Sequence, residues 1–335
     1  MVIIYHFGAN HFFRPFHFLF NGELGVNIFF VISGFLITTL LLKEKLQYGK
    51  VSFKRFYTRR ALRIVPVAYL FLLFITVLNI TYKLGLSTSN FTASFLFYKN
   101  FPYQIEPYTG HFWSLAAEMQ FYLIFPYLLV TNIKRYVVLM LFLLIAIPTV
   151  SIAGYYHLPI LYTNPIIYQI TKAVMYSFWN GPFVILIGSL LAVLLFNGTI
   201  KVDKGRGGDF LSFLLFVIIL TINNKLSIFY IKYISEFLSA ILIAWIILLN
   251  LRKINLLSVI LESQVFVKVG TLSYSIYIWQ QLFIGDRSFP PWAKPFHDCP
   301  LGIFIILKFV SIFVIASISY YFFELKFLKM KSRYE

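Results

Sequence analysis

The sequence predicts an all-α protein, a polytopic bundle of transmembrane helices, and two observations support this. Of its 335 residues, 60% are hydrophobic and only 12% are charged, whereas about a quarter of the residues in soluble domains are charged. The apolar residues also form repeated runs of roughly 17–25 residues, the length that a helix needs to cross a bilayer. Together these features exclude a soluble globular domain.

The apolar runs predict about ten spans, the first of them truncated. Residues 1–7 end in Tyr5-His6-Phe7, and we interpret them as the last two turns of a span whose beginning is missing. No basic region or small-residue cleavage site marks a signal peptide there. The nine full spans are predicted at residues 24–42, 64–82, 112–130, 136–153, 178–197, 210–223, 227–250, 270–285 and 301–323. No linker or internal repeat divides the chain, so we expect a single membrane domain over residues 1–335.

The basic residues orient these spans. The net charge is +17, and 20 of the 29 Lys and Arg residues lie in five segments that share one side if the spans alternate. These segments are residues 43–63, 131–135, 198–209, 251–269 and the C-terminal tail. Short loops rich in Lys and Arg face the cytoplasm. This pattern predicts a cytoplasmic C terminus, with residues 8–23, 83–111, 154–177 and 286–300 outside, and it argues against a nucleic-acid partner.

Two histidines and a glutamate are candidates for chemistry. Glu118 lies about two turns into an apolar helix, where a carboxylate is costly and normally serves a purpose or has a buried partner. His111 precedes it by seven residues and falls on the same helical face. Glu118 could orient a histidine or pair with an arginine. His6 lies near the outer end of the truncated span, where a neutral imidazole can take a proton from a hydroxyl.

A basic helix, Phe53 to Pro66, leads into the span at residues 64–82. Arg59 and Arg63 are four residues apart and share one face. Guanidinium groups match phosphate oxygens well, so this pair could hold an anionic cofactor. The alternative is that these charges anchor the helix to anionic lipid and fix the topology.

Two later segments also carry polar groups. Leu272 to Gln281 contains aromatic and amide side chains, among them Trp279, that could line a polar cavity. Glu324 lies at the inner end of the last span, and we expect it to pair with a tail lysine or a loop arginine.

The single cysteine, Cys299, excludes an intramolecular disulfide, and the scattered histidines predict no metal site.

These segments, in this order, resemble the acyltransferase 3 family of bacterial membrane O-acyltransferases. The matching pieces are Tyr5-His6-Phe7, Gly25 to Ile37 with its Phe-Phe-Val-Ile-Ser-Gly-Phe core, Phe56 to Pro66, His111 to Pro126, Ser273 to Trp279, and Tyr320 to Glu324. The chain departs from the family in two places. It begins too late to hold an arginine that the family usually has before the first-span histidine, and Gln280 follows Trp279 where the family often has a histidine.

The resemblance implies a multi-pass protein of the bacterial inner (cell) membrane, in contact with membrane lipids. It implies transfer of an acyl group, usually acetyl, from cytosolic acyl-CoA to a hydroxyl of a cell-surface glycan or lipid-linked sugar. The catalytic residues would be His6 and Glu118. Arg59 and Arg63 would bind the CoA phosphates, and the substrate would lie near three residues, His111, Trp113 and Trp279.

A transporter or flippase is the main alternative function. Buried His6 and Glu118 could relay protons in such a protein. Against it, the chain shows no inverted repeat and no matched pair of interrupted helices. A purely structural membrane scaffold is a third class, and the glutamate inside a span disfavours it.

Overall fold

The computed structural model describes residues 1–7, 21–101, 107–178, 182–201, 208–224, 228, 230–231, 233–251, 256–284, 299–331 and 334. These residues are 83% helical and contain no strand, which confirms the all-α class. The helices are α1 Val2–Phe7, α2 Gly22–Tyr48, α3 Phe53–Tyr82, α4 Thr88–Phe95, α5 Phe112–Thr131, α6 Ile133–Tyr155, α7 Pro165–Phe178, α8 Pro182–Phe196, α9 Gly208–Ile222, α10 Ile234–Asn250, α11 Leu256–Leu261, α12 Gln264–Trp279, α13 Leu301–Ile318 and α14 Leu325–Lys331. A π-helical turn, Ser319–Glu324, joins α13 to α14.

Five elements within the described residues are long and apolar enough to cross a membrane. They are α2, α3, α5, α6 and the continuous stretch Leu301–Lys331, and three shorter apolar helices occur at Phe183–Phe196, Phe210–Ile222 and Ile234–Asn250. The chain is therefore a multi-pass membrane protein. The count of about ten spans stays a prediction that rests on the length of the apolar runs.

Helices α2 and α8 approach each other closely at two glycines. A Cβ added to Gly34 of α2 would lie 2.0 Å from the carbonyl oxygen of Ile185, and one added to Gly188 of α8 would lie 1.9 Å from that of Val31. Between lipid-embedded helices, small residues allow the backbones to meet and gain packing energy. Just beyond this crossing, the hydroxyls of Thr38 and Ser189 lie 2.5 Å apart. The crossing fixes α2 near the centre of the bundle.

The opposite end of α2 supports α1. A Cβ on Gly22 would lie 2.8 Å from Cδ1 of Tyr5, and a Cβ on Gly25 would lie 2.8 Å from Cγ2 of Val2. The small residues at the start of α2 thus leave room for α1. These contacts hold the part of α1 that directly precedes His6.

Helices α3 and α5 run antiparallel and contact each other at two heights along their axes. The Arg60 guanidinium lies 5.6 Å from the Tyr122 ring centroid, and the Phe71 ring lies 5.1 Å from the His111 ring. Eleven residues separate these contacts on each helix, which corresponds to about 16 Å along the axis. Helix α12 lies alongside α3, since the Tyr274 hydroxyl donates to the Ile64 carbonyl at 2.8 Å.

The predicted outer segments contain structure that hydropathy did not predict. Residues 83–111 include α4, and residues 154–177 include most of α7. Helix α4 has only eight residues, and α7 is amphipathic, so neither forms a membrane-length apolar run. Helix α3 also begins at Phe53, well before residue 64, because its basic first turns continue the same helix.

Replacing Gly34 or Gly188 by Ala should destabilise the protein. The new methyl group would overlap a backbone carbonyl that cannot move without separating α2 from α8, and overpacking of this kind costs about 1–3 kcal/mol or more. Thermal unfolding of the purified protein in detergent measures the effect. The matched control is Gly270→Ala, since a Cβ on Gly270 meets nothing within 4 Å. Equal melting temperatures for Gly34→Ala and Gly270→Ala would contradict the close crossing.

Candidate functional site

Glu118 lies in a cage of hydroxyl groups between α2 and α5. Its Oε1 accepts a hydrogen bond from Ser33 at 2.8 Å and a second from the Tyr122 hydroxyl, and all three residues are buried. The Ser33 and Tyr122 hydroxyls are themselves 2.7 Å apart. Tyr122 follows Glu118 by one helical turn, so it reaches the carboxylate from the same helix. The contacts of Glu118 are therefore to hydroxyls, and His6 is not among them.

The arginines of α3 differ in their surroundings. Arg59 forms an ion pair with Glu44 of α2 at 3.1 Å and donates to the Tyr334 carbonyl at 2.8 Å. Arg63, which shares its face, is exposed. Arg60 instead points toward the interior, where its guanidinium packs over the rings of Phe56 and Tyr122.

Arg60 is a site residue that the sequence did not single out. It packs over the ring of Tyr122, whose hydroxyl bonds Glu118, and among the residues that the structure describes its Nε has no hydrogen-bond partner. A stacked, partly buried guanidinium is suited to binding an anion. Its position one residue after Arg59 was visible in the sequence, but the rotation of α3 that turns it inward was not.

A second buried carboxylate, Glu324, corrects one expectation. Its Oε1 accepts hydrogen bonds from Ser275 of α12 and Ser319, each at 2.7 Å. The prediction that Glu324 pairs with a lysine or an arginine is therefore wrong, because two serine hydroxyls bind its carboxylate instead. In a π-helix the hydrogen-bonding repeat is five residues rather than four. The π-helical turn therefore allows Ser319 to reach a residue five positions later.

His111 and its neighbours form an aromatic cluster at the other end of α5. The His111 ring packs against Phe71, Phe112 and Tyr277, with centroids 4.8–5.7 Å apart. Trp279 of α12 also packs against Phe71, with the ring centroids 5.6 Å apart. The structure thus brings His111 and Trp279 to the same aromatic residue.

The remaining predicted residues lie nearby. Trp113 is partly buried and its ring meets Phe30 of α2 at 6.1 Å. His6 is exposed on α1, with its ring 5.2 Å from that of Tyr5. Within the described ranges, no group of three or more His, Cys, Asp or Glu side chains is placed to hold a metal ion.

Comparison with protein families gives one match over nearly the whole chain. A family model described as an acyltransferase domain, of the acyltransferase 3 type, matches residues 1–321. The match includes every candidate residue named above from His6 to Trp279, together with the Ser275 and Ser319 partners of Glu324. No solved structure matches the chain significantly.

Curated relatives from Staphylococcus aureus are longer than this chain. A protein of strain COL, provisionally named an O-acetyltransferase, is 28% identical over 358 aligned residues, which cover 98% of this chain and 55% of the relative. The O-acetyltransferase OatA of strain NCTC 8325 is 34% identical over 149 residues, covering 40% of this chain and 23% of OatA. The chain spans about half the length of the first of these relatives.

Removing one hydroxyl from the Glu324 cage should destabilise the protein. Ser275→Ala leaves a buried carboxylate with one donor fewer, and a lost partner of this kind costs about 1–3 kcal/mol. The measurement is the melting temperature in detergent. Ser273→Ala on the same helix is the control, because Ser273 is exposed and bonds only to the Gly270 carbonyl. If both variants melt alike, the serine cage contributes nothing measurable.

Proposed function

The chain belongs to the acyltransferase 3 family, and on that premise we propose that it transfers an acetyl group from acyl-CoA to a hydroxyl of a cell-surface glycan or lipid-linked sugar. The observation that carries the proposal is the order of polar groups along α3 and α5. The arginines of α3 lie at one end, Glu118 of α5 lies between, and the His111 imidazole lies at the other end. Such an order suits a reaction whose anionic donor enters from one side and whose acceptor enters from the other.

The arginine end would face the cytoplasm of a bacterial inner membrane, with the C terminus on the same side. The support is the excess of Lys and Arg in the segments at this end. Acyl-CoA is a cytosolic anion, so its phosphates would meet this end first. The acetyl group is favoured over longer acyl groups by the names of the two S. aureus relatives.

Arg63 and Arg60 are the residues that we propose for the CoA phosphates. Arg63 is exposed, and Arg60 lies behind it with its guanidinium held over two aromatic rings. Arg59 was expected to share this role. Its ion pair with Glu44 favours a structural role instead. In this role Arg59 links α3 to α2 beside the phosphate site.

The acyl group would travel along α3 and α5 toward the imidazoles. From Arg60 to Phe71 is about 16 Å along the helix axis, a distance that the extended pantetheine arm of CoA can bridge. Glu118 would hold negative charge near Arg60 and keep α2 and α5 in place. Three residues, His111, Trp113 and Trp279, would surround the acyl group and the acceptor.

His6 would act as the general base. It would remove the proton from the acceptor hydroxyl while the hydroxyl oxygen attacks the thioester carbonyl carbon. The carbon–sulfur bond then breaks, the acyl group stays on the acceptor oxygen, and the thiolate of CoA takes up the proton that His6 holds. The products are the O-acylated acceptor and free CoA.

Transfer in detergent micelles tests the proposed function. The full-length protein, incubated with labelled acetyl-CoA and a crude glycan acceptor, should label the acceptor without any membrane potential. His6→Ala should lower the rate at least ~100-fold, the scale of general-base removal, while His157→Ala, in an exposed turn, should not. A transporter needs two compartments. No transfer in micelles, together with proton-coupled uptake into proteoliposomes, would favour that alternative.

Arg63→Gln and Arg60→Gln should raise the KM for acetyl-CoA. Each removes a hydrogen bond to a charged phosphate, which corresponds to roughly 10-fold or more in affinity. Lysine at either position should restore only part of the affinity, because an ammonium lacks the planar fork of a guanidinium. Arg135→Gln, an exposed arginine at the start of α6, is the matched control. If the folded double variant, with both Arg60→Gln and Arg63→Gln, has an unchanged KM for acetyl-CoA, the two arginines do not bind CoA, and the lipid-anchoring alternative is favoured.

A further inference from the structure

Two buried polar side chains in the aromatic cluster lack hydrogen-bond partners. His111 is 6% exposed and Trp279 is 5% exposed. Among the described residues, neither ring nitrogen of His111 has a partner, and the same holds for Nε1 of Trp279. An unsatisfied buried donor costs about 1–3 kcal/mol. Native proteins retain such groups where a ligand, an ordered water or a catalytic role accounts for them.

The two groups pack against the same ring, and the contacts around them hold them in place. Phe71 meets the His111 ring at 5.1 Å and the Trp279 ring at 5.6 Å. The Tyr277 hydroxyl donates to the His111 carbonyl at 3.1 Å and also bonds the Ser114 hydroxyl. These contacts fix the backbone of His111 to α12, which carries Trp279. Both nitrogen-bearing rings are therefore part of one rigid cluster.

We propose that the N–H groups of His111 and Trp279 bind the carbonyl oxygen of the acyl group and stabilise its negative charge during transfer. This inference rests on the proposed function. When the acceptor oxygen bonds to the carbonyl carbon, the electron pair of the C=O bond moves to that oxygen. The pair returns when the carbon–sulfur bond breaks and the thiolate leaves. Fixed donors in a buried site favour the charged intermediate, because they need no reorganisation as the charge develops.

The chemistry of the two side chains fits this role. An indole N–H can only donate, and a neutral imidazole always carries one N–H. Both groups are uncharged, so they can remain buried without a counter-ion.

The cluster lies close to the protein surface on one side. Trp279 packs at 5.6 Å against Phe74 as well as Phe71, and Phe74 is 41% exposed. We expect a short acyl group to enter from this side, past Phe74.

The test is Trp279→Phe, which keeps an aromatic ring and removes the N–H. In the full-length protein, kcat for transfer from acetyl-CoA should fall about 100-fold or more, the scale for loss of one such donor, with the KM for acetyl-CoA little changed. His111→Phe should act similarly, while His111→Gln, which keeps an N–H, should restore part of the rate. Trp245→Phe, in an exposed position on α10, is the control and should match the parent.

Melting temperatures separate this role from a structural one. If the N–H groups serve the reaction alone, Trp279→Phe and His111→Phe should melt at the same temperature as the parent or higher, because each removes an unsatisfied buried group. Near-parental kcat in Trp279→Phe would overturn the proposal, and so would a rate that falls only in step with lost stability. An inactive parent would instead refute the proposed function, so the two failures are distinguishable.

Discussion

The close approach of α2 and α8 at Gly34 and Gly188 is the constraint on which the rest of the bundle depends. Lipid tails are as apolar as leucine, so helices in a membrane gain little from hiding apolar surface and depend on contact between their backbones. Ser33 is next to Gly34, and its hydroxyl reaches Glu118 of α5. The rotation that brings Gly34 against α8 thus also decides which side of α2 meets the carboxylate. The glycines near the start of the same helix make room for α1.

Hydroxyl groups hold both buried carboxylates, and this leaves the nearby arginine available. Glu118 and Glu324 each accept two hydrogen bonds on one oxygen. A direct ion pair with Glu118 would have occupied the Arg60 guanidinium and reduced its affinity for an anionic ligand. The contrast is Arg59, which does form an ion pair with Glu44. Adjacent arginines on one helix therefore differ in their contacts, since Arg59 forms an ion pair and Arg60 packs over aromatic rings.

Hydropathy predicted where the long apolar helices lie, because length and apolar composition are local properties. It missed α4 and α7, whose sequences are too short or too mixed to form membrane-length runs. It also could not supply contacts between helices. The cage around Glu118 combines Tyr122, which helical spacing could have suggested, with Ser33, which it could not. The contact of Ser319 with Glu324 depends on a π-helical turn that no pattern in the sequence marks, and Ser275 comes from a different helix. The inward turn of Arg60 was hidden for the same reason, since helix rotation is set by packing.

The order of the carboxylate partners along the chain bears on how the protein is made. Ser33 precedes Glu118 by 85 residues, and Ser275 precedes Glu324 by 49. Because the ribosome synthesises the chain from its N terminus, each serine is added before the glutamate to which it will donate a hydrogen bond. The second hydroxyl of each cage, on Tyr122 or Ser319, belongs to the same continuous helix as the glutamate and enters the bilayer with it. Each costly carboxylate can thus be satisfied as soon as its own helix is inserted, without waiting for a later segment.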